Sequence, residues 1–370
     1  MERHRWLALD GLRAIAVLGV LCFHFGAPYG TGGYLGVDVF FVLSGCVVTA
    51  SFRRSMQSGG TVSGFLWRRG ARIFPNLVAL SVAAIAWDWW RDRALLTAHN
   101  AAVLEGVAQI YDFVLTLNAA TPHLWSLSVE WQIYCVLPIV LAILCSRGVR
   151  PALGRVFRFV ATALALKPAL AWFGASLLWM YFWPFSRLDE FALGVAVALA
   201  LEEGRVATRQ WPGVLAGSAL LLAMVVAPRW WKEAWESLFV VMPLAAAAAA
   251  VVVWSVVSTP DSLLARVLSH RWLRAIGDRS YSIYLWHYML GVGLIAGLTP
   301  PAQGWDGPAG EGWRGDGVFA IQMLLTLAVA SLAYALIERP ARDFATRWWD
   351  ARHRRVPLPA QVSAGSVTVR

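Results

Sequence analysis

Of the chain's 370 residues 58% are hydrophobic and only 15% charged, and 21 are tryptophan. A soluble domain carries about a quarter charged residues and has no core large enough for this apolar load, so lipid is the expected solvent. The net charge of +10 comes from arginines at the ends of apolar runs, a topology signal that argues against nucleic-acid binding.

The first apolar run, about 7–25, carries Asp10, Arg13 and His24. Eleven residues at 100° each bring Arg13 and His24 to within about 20° on a helix, roughly 16 Å apart along its axis. Asp10 lies three residues before Arg13, on the same side. Ionisable groups in hydrocarbon cost several kcal/mol unless paired or turned to a polar interior, so this stripe is a candidate for function. The bland alternative for His24 is a capping histidine at a helix end. A signal peptide is disfavoured, because its apolar region would contain Asp10 and Arg13 and no small-x-small site follows.

The second run, 33–51, places Asp38 near its outer end, and the fourth, 125–145, does the same for Glu130. Either carboxylate is expected to orient His24, whose ordinary pKa suits general-base work. The alternative for each is an interfacial carboxylate beside a helix start. Between them, Arg68, Arg69 and Arg72 open the third run, 73–90. Arg69 and Arg72 are helical neighbours whose guanidinium forks suit a polyphosphate; plain stop-transfer arginines are the competing account.

Further runs lie at about 156–173, 187–203, 212–228, 237–257, 276–298 and 317–337. Arg187, Asp189 and Glu190 cluster at one outer border, where they hold a polar acceptor or pair with one another. Trp125 is a candidate for stacking on a sugar. His287 sits mid-span with Ser280, Tyr281 and Tyr284 within two turns, as a substrate-lining group or an interhelical hydrogen bond. The four cysteines, Cys22, Cys46, Cys135 and Cys145, fall inside apolar runs and read as small hydrophobes, and no metal site is expected.

A weaker run at 101–117 is interrupted by Glu105, Gln109 and Asp112. Leaving it out gives ten spans with the N-terminus inside, and 23 of the 32 Lys+Arg then fall in cytoplasmic segments against five in outer loops. The expected fold is therefore all-α and integral to the membrane, with about ten transmembrane helices and both termini cytoplasmic. Segment 91–124 is expected outside, re-entering the membrane only where protein lines it. The transmembrane domain is expected over 1–345 and a disordered cytoplasmic tail over 346–370.

Six segments together resemble the membrane-bound acyltransferase 3 family. They are Leu9-Asp-Gly-Leu-Arg-Ala-Ile-Ala-Val with His24 at the Arg-x10-His spacing, Gly36-Val-Asp-Val-Phe-Phe-Val-Leu-Ser-Gly45, and Arg69-Gly-Ala-Arg72-Ile-Phe-Pro75. Trp125-Ser-Leu-Ser-Val-Glu130, Ser280-Tyr-Ser-Ile-Tyr-Leu-Trp-His287 and Ile337-Glu-Arg-Pro340 complete the set, in order along nearly the whole chain. The resemblance implies a ten-helix enzyme of the bacterial inner membrane that uses cytoplasmic acyl-CoA, usually acetyl-CoA, with no permanently bound cofactor. The acceptor is then a hydroxyl of an envelope carbohydrate or a glycosylated small molecule, and a homodimer is compatible with it.

Carried over by position, Arg13 and His24 are site residues, Arg69 and Arg72 contact CoA, and Glu130 belongs to the outer catalytic region. Trp131 stands where the family often has a second acidic residue. The expectation is a stand-alone member without the SGNH-type domain fused to some others. Outer loops 229–236 and 299–316 are expected to select the acceptor. The rival from another class is a secondary transporter, in which buried Arg, His and Glu couple substrate to ions.

Overall fold

The computed structural model describes residues 6–92, 122–229, 234–295 and 314–353. The 101–117 run, nearly all of the expected re-entrant segment and most of the two acceptor loops lie outside the described residues. Within them the fold is all-helical, with no strand.

The helices are α1 (Leu7–His24), α2 (Leu35–Gln57), α3 (Val62–Asp92), α4 (Leu124–Cys145), α5 (Val149–Trp172), α6 (Leu177–Phe182) and α7 (Leu188–Glu202). After them come α8 (Trp211–Val226), α9 (Met242–Ser258), α10 (Leu263–Leu268), α11 (Arg271–Asp278), α12 (Ser280–His287), α13 (Asp316–Ala333) and α14 (Arg339–Arg352). Three π-helical stretches join onto them: Ser237–Val241 before α9, Tyr288–Leu294 after α12 and Tyr334–Glu338 between α13 and α14.

Within the described residues each of the ten apolar runs falls mainly on helix, and six helical stretches are long and apolar enough to cross a bilayer. They are Leu7–His24, Leu35–Gln57, Val62–Trp87, Leu124–Cys145, Ala234–Ser258 and Asp316–Arg352. The other four differ for physical reasons. Helix α5 carries Arg150, Arg155, Arg158 and Lys167. Helices α7 and α8, at 15 and 16 residues, rise only about 24 Å against the roughly 30 Å of a hydrocarbon core. The 276–298 run is helical or π-helical from Ser280 to Leu294 and then passes out of the described residues.

Helix α1 packs against α2, α9, α10, α11 and α12. Its polar stripe therefore faces protein rather than lipid, as the cost of charge in hydrocarbon requires. Outward-facing positions such as Ile139, Ile143, Leu222 and Leu324 are apolar and exposed, the surface a bilayer solvates.

Glycine sets the closest helix approach around the site. A Cβ on Gly45 of α2 would stand 2.1 Å from the Phe191 carbonyl oxygen, and one on Gly194 of α7 would stand 2.1 Å from that of Val42. The two backbones touch, and no side chain fits between them. Gly45→Val is expected to force the helices apart and destabilise the protein by on the order of 3 kcal/mol. Thermal unfolding in lipid nanodiscs reads this directly, and an unchanged midpoint would contradict the packing.

The last helix runs on to Arg352, past the expected boundary at 345. Trp348 and Trp349 stack near Trp67 of α3, with ring centroids 4.9 and 6.5 Å away, and Trp67 donates its indole N–H to the Ala345 carbonyl. That aromatic anchor keeps residues 346–352 helical where sequence composition suggested the start of a tail.

Candidate active site: an arginine pocket and a histidine cluster

Five helices line a partly open cavity of about 80 Å³. Arg13 of α1, Arg69 and Arg72 of α3, and Glu130 of α4 are its charged lining groups. Three cations thus meet one carboxylate. Arg13 is also paired with Asp10, Nη1 to Oδ1 2.8 Å, the i,i+3 contact that the stripe predicts. Arg69 lies over the Tyr134 ring, its Cζ 5.4 Å from the centroid. The Glu130 carboxylate accepts hydrogen bonds from Ser44 Oγ and Tyr134 Oη, so its Oε1 faces donors on two sides.

The approach of α3 to this cavity is fixed by its neighbours. Tyr281 Oη donates to the Ile73 carbonyl at 2.7 Å, and Asn76 Nδ2 donates to Ser282 Oγ at 2.8 Å. Ser282 Oγ in turn donates to Glu338 Oε2 at 2.6 Å, and Trp286 Nε1 donates to Asn76 Oδ1 at 3.1 Å. This chain of polar contacts locks α3, α12 and the π stretch before α14 one turn beyond Arg72. Sequence reasoning used Glu338 only as part of a motif, and Asn76 not at all. Arg68, expected with the other two arginines, turns elsewhere: its Nη2 donates to Ser55 Oγ at 3.3 Å, and it does not line the cavity. At 100° per residue it stands only about 40° from Arg72, so helical spacing does not set it apart; its bond to Ser55 does.

His24 occupies a second, adjoining region. Its ring centroid is 5.0 Å from that of His287 and 5.2 Å from that of Tyr288. His123, the residue that precedes α4, joins them, 4.9 Å from His287 and stacked on Tyr288 at 5.5 Å. His123 and His287 are buried. Among the described residues no three His, Cys, Asp or Glu side chains are placed to hold a metal ion together, so the cluster is an aromatic and hydrogen-bonding group.

Tyr284 stands between the two regions. It lines the arginine cavity, its ring lies 5.4 Å from His123 and 5.5 Å from His287, and its hydroxyl donates to the His123 carbonyl at 2.9 Å. The same oxygen lies 2.6 Å from Ser126 Oγ, another cavity residue.

The carboxylates expected to orient His24 are placed otherwise. Glu130 lies seven residues along α4 from His123, about 10 Å down the axis, and belongs to the arginine cavity. Asp38 points to α7: its Oδ1 accepts from Arg187 Nη1 at 3.1 Å, and the same nitrogen donates to Glu190 Oε1 at 2.8 Å. Asp189 pairs with Lys167 of α5 at 2.7 Å. Trp125 and Tyr181 close over Arg187, with Cζ to centroid distances of 5.2 and 4.6 Å.

Arg187, Asp38 and Glu190 are each 2% exposed or less. Of the two accounts open for the 187–190 cluster, mutual pairing is the one the geometry shows. Asp38, Arg187, Asp189 and Trp125 thus belong to a buried network that brings together α2, α4, α5 and α7 and adjoins the arginine cavity, whose lining includes Val37 and Ser126 but none of these four. His287, by contrast, takes its place beside His24.

A profile for an acyltransferase domain matches residues 6–337. The putative peptidoglycan O-acetyltransferase YrhL of Bacillus subtilis is 28% identical over 373 residues, 95% of this chain and 57% of the relative. The peptidoglycan O-acetyltransferase OatA of Listeria monocytogenes is 27% identical, over 90% of this chain and 55% of the relative. OatA of Staphylococcus aureus is 26% identical, over 90% and 57%. The chain therefore spans somewhat more than half the length of the curated relatives it matches. No solved structure matches. Six segments in order, a helical bundle around their charged side chains and a profile covering most of the length agree: the chain belongs to the acyltransferase 3 family of multi-pass membrane proteins.

Proposed function

We propose that the chain transfers an acyl group, acetyl by analogy with its relatives, from cytoplasmic acyl-CoA to a hydroxyl of a cell-envelope carbohydrate. The observation that carries this reading is the junction of the arginine cavity with the histidine cluster across Tyr284. Arg69 and Arg72 hold the CoA phosphates through guanidinium forks, with Arg68 outside that set. Arg13 lies further along the same cavity, on the path of the pantetheine arm. Both termini and the arginine end face the cytoplasm of a bacterial inner membrane, in agreement with the distribution of basic residues.

His24 then takes the proton of the acceptor hydroxyl as its oxygen attacks the thioester carbonyl. The C–S bond breaks, and the same proton goes to the departing thiolate. No permanently bound cofactor takes part in these steps. Glu130 acts within the cavity, where it offsets the three cations and keeps Tyr134 and Ser44 in place.

The test is acetyl-CoA binding and slow release of free CoA thiol by the purified protein in nanodiscs, with and without an oligosaccharide acceptor. His24→Ala is expected to lower the transfer rate at least about 100-fold while acetyl-CoA still binds. Full transfer by His24→Ala would overturn the role of the histidine. Accumulation of substrate across a liposome membrane without CoA release would favour a transporter instead.

A further inference from the structure

Helix α2 lays one continuous stripe along the arginine cavity: Val37, Phe40, Phe41, Ser44, Val47 and Val48, at the three- and four-residue spacing of a helix face. Helix α12 does the same with Ser280, Tyr281 and Tyr284, and its next turn carries His287 into the histidine cluster. The apolar interior is divided in the same way. A large group of buried side chains surrounds the arginine cavity. A smaller group, which includes Val17, Leu21, Phe25, Tyr288 and Val292, borders the histidines through Phe25 and Tyr288. Of the residues that line the cavity, two pack against both groups, Phe40 and Tyr284.

Those two rings meet edge to face, their centroids 6.3 Å apart at an interplanar angle of 63°. A pair in that geometry leaves no methylene-wide gap between edge and face. Tyr284 is tethered, because its hydroxyl donates to the His123 carbonyl at 2.9 Å and lies 2.6 Å from Ser126 Oγ. Phe40 has no polar atom to anchor it, so a change of its rotamer costs apolar contact but no hydrogen bond. Its neighbour Phe41 packs instead toward Trp125, with ring centroids 6.1 Å apart. One fixed ring and one that is free to turn thus stand where the arginine cavity meets the histidine cluster.

We propose that Phe40 and Tyr284 form an aromatic gate that selects the acyl group by length, passing acetyl and turning back longer chains. The proposal rests on the acyl-transfer reading, in which the CoA phosphates lie at Arg69 and Arg72 and the thioester reaches His24. The acyl group is the leading tip of such a donor, so it meets the two rings first. A methyl needs only the space freed when Phe40 turns. Each further methylene has to displace packed side chains of the smaller apolar group as well, Phe25 and Tyr288 among them. One methylene more or less in an apolar pocket changes kcat/KM by roughly tenfold or more.

The experiment compares acetyl-CoA with butyryl-CoA as donor for the full chain in nanodiscs, with peptidoglycan oligosaccharides as acceptor and CoA thiol release as the readout. Wild type is expected to favour acetyl-CoA. Phe40→Ala is expected to raise the butyryl-to-acetyl ratio of kcat/KM by about tenfold or more. Phe40→Leu keeps apolar bulk and so protects folding, and it should move the ratio less, in the same direction. Phe41→Ala removes the neighbouring ring from the same cavity wall and is expected to leave the ratio unchanged. An unchanged ratio in the folded Phe40 variants, beside a wild type that transfers acetyl, would overturn the gate alone. So would an equal rise in Phe41→Ala, which would mark general widening of the cavity, or an equal loss with both donors, which would mark packing. A wild type that releases thiol from neither donor would remove the acyl-transfer reading and the gate with it.

Discussion

Alanine at both Arg69 and Arg72 is expected to weaken acetyl-CoA binding by about 100-fold or more, or about 2.7 kcal/mol. The two guanidiniums share one face of α3 and one cavity, whose charge they dominate together with Arg13. Arg68→Ala is the internal control. Arg68 bonds Ser55 outside the cavity at 3.3 Å, so its loss is expected to leave binding within about twofold of wild type. Lysine at both positions keeps the charge and loses the bidentate fork, and is expected to recover only part of the affinity. Calorimetric titration in nanodiscs decides the matter: wild-type affinity in the double alanine variant would remove the phosphate role from this pair.

Arg187→Ala is expected to affect stability rather than turnover. Arg187 Nη1 serves both Asp38 and Glu190, all three side chains are buried, and Trp125 and Tyr181 cover the guanidinium. Removing the cation leaves two carboxylates without compensation, a loss of about 3–5 kcal/mol for a buried pair broken on one side. Folded protein should fall sharply in a detergent size-exclusion profile. Arg187→Met combined with Asp38→Asn and Glu190→Gln removes the charges together and is expected to recover much of the loss. A stable Arg187→Ala variant with a wild-type melting temperature would show that the network is not structural.

What sequence could and could not show divides along the range of the interaction. The Asp10–Arg13 pair is a contact three residues apart on a helix, so angular spacing located it, whereas the same spacing puts Arg68 beside Arg72 and does not foresee its turn toward Ser55. The described parts of the ten apolar runs lie mainly on helix for a similar reason, since length and hydropathy are local properties. Asp38 and Glu130 were placed by depth, and depth does not say toward which neighbour a helix face points. The partner of Asp38 lies 149 residues away. The face of α2 that carries Asp38 turns to α7 because Gly45 and Gly194 permit close approach there.

His123 escaped notice because it precedes an apolar run and has no periodic partner of its own. Its significance arises only when α12 delivers His287 and Tyr288 to it. The one available signal was its place two residues before Trp125 in a motif already singled out. The helical continuation to Arg352 depended likewise on Trp67, nearly three hundred residues earlier.

The glycine contact between α2 and α7 has a mechanical consequence. With backbone against backbone, and with the Arg187 network fastening the same pair, this side of the bundle has little freedom to bend. Widening to admit a bulky donor is then less costly elsewhere in the cavity wall, as at α12, which lines the cavity and passes into a π turn after His287. His24 stands beside that turn, its ring 5.0 Å from His287 and 5.2 Å from Tyr288, so a shift there bears directly on its surroundings.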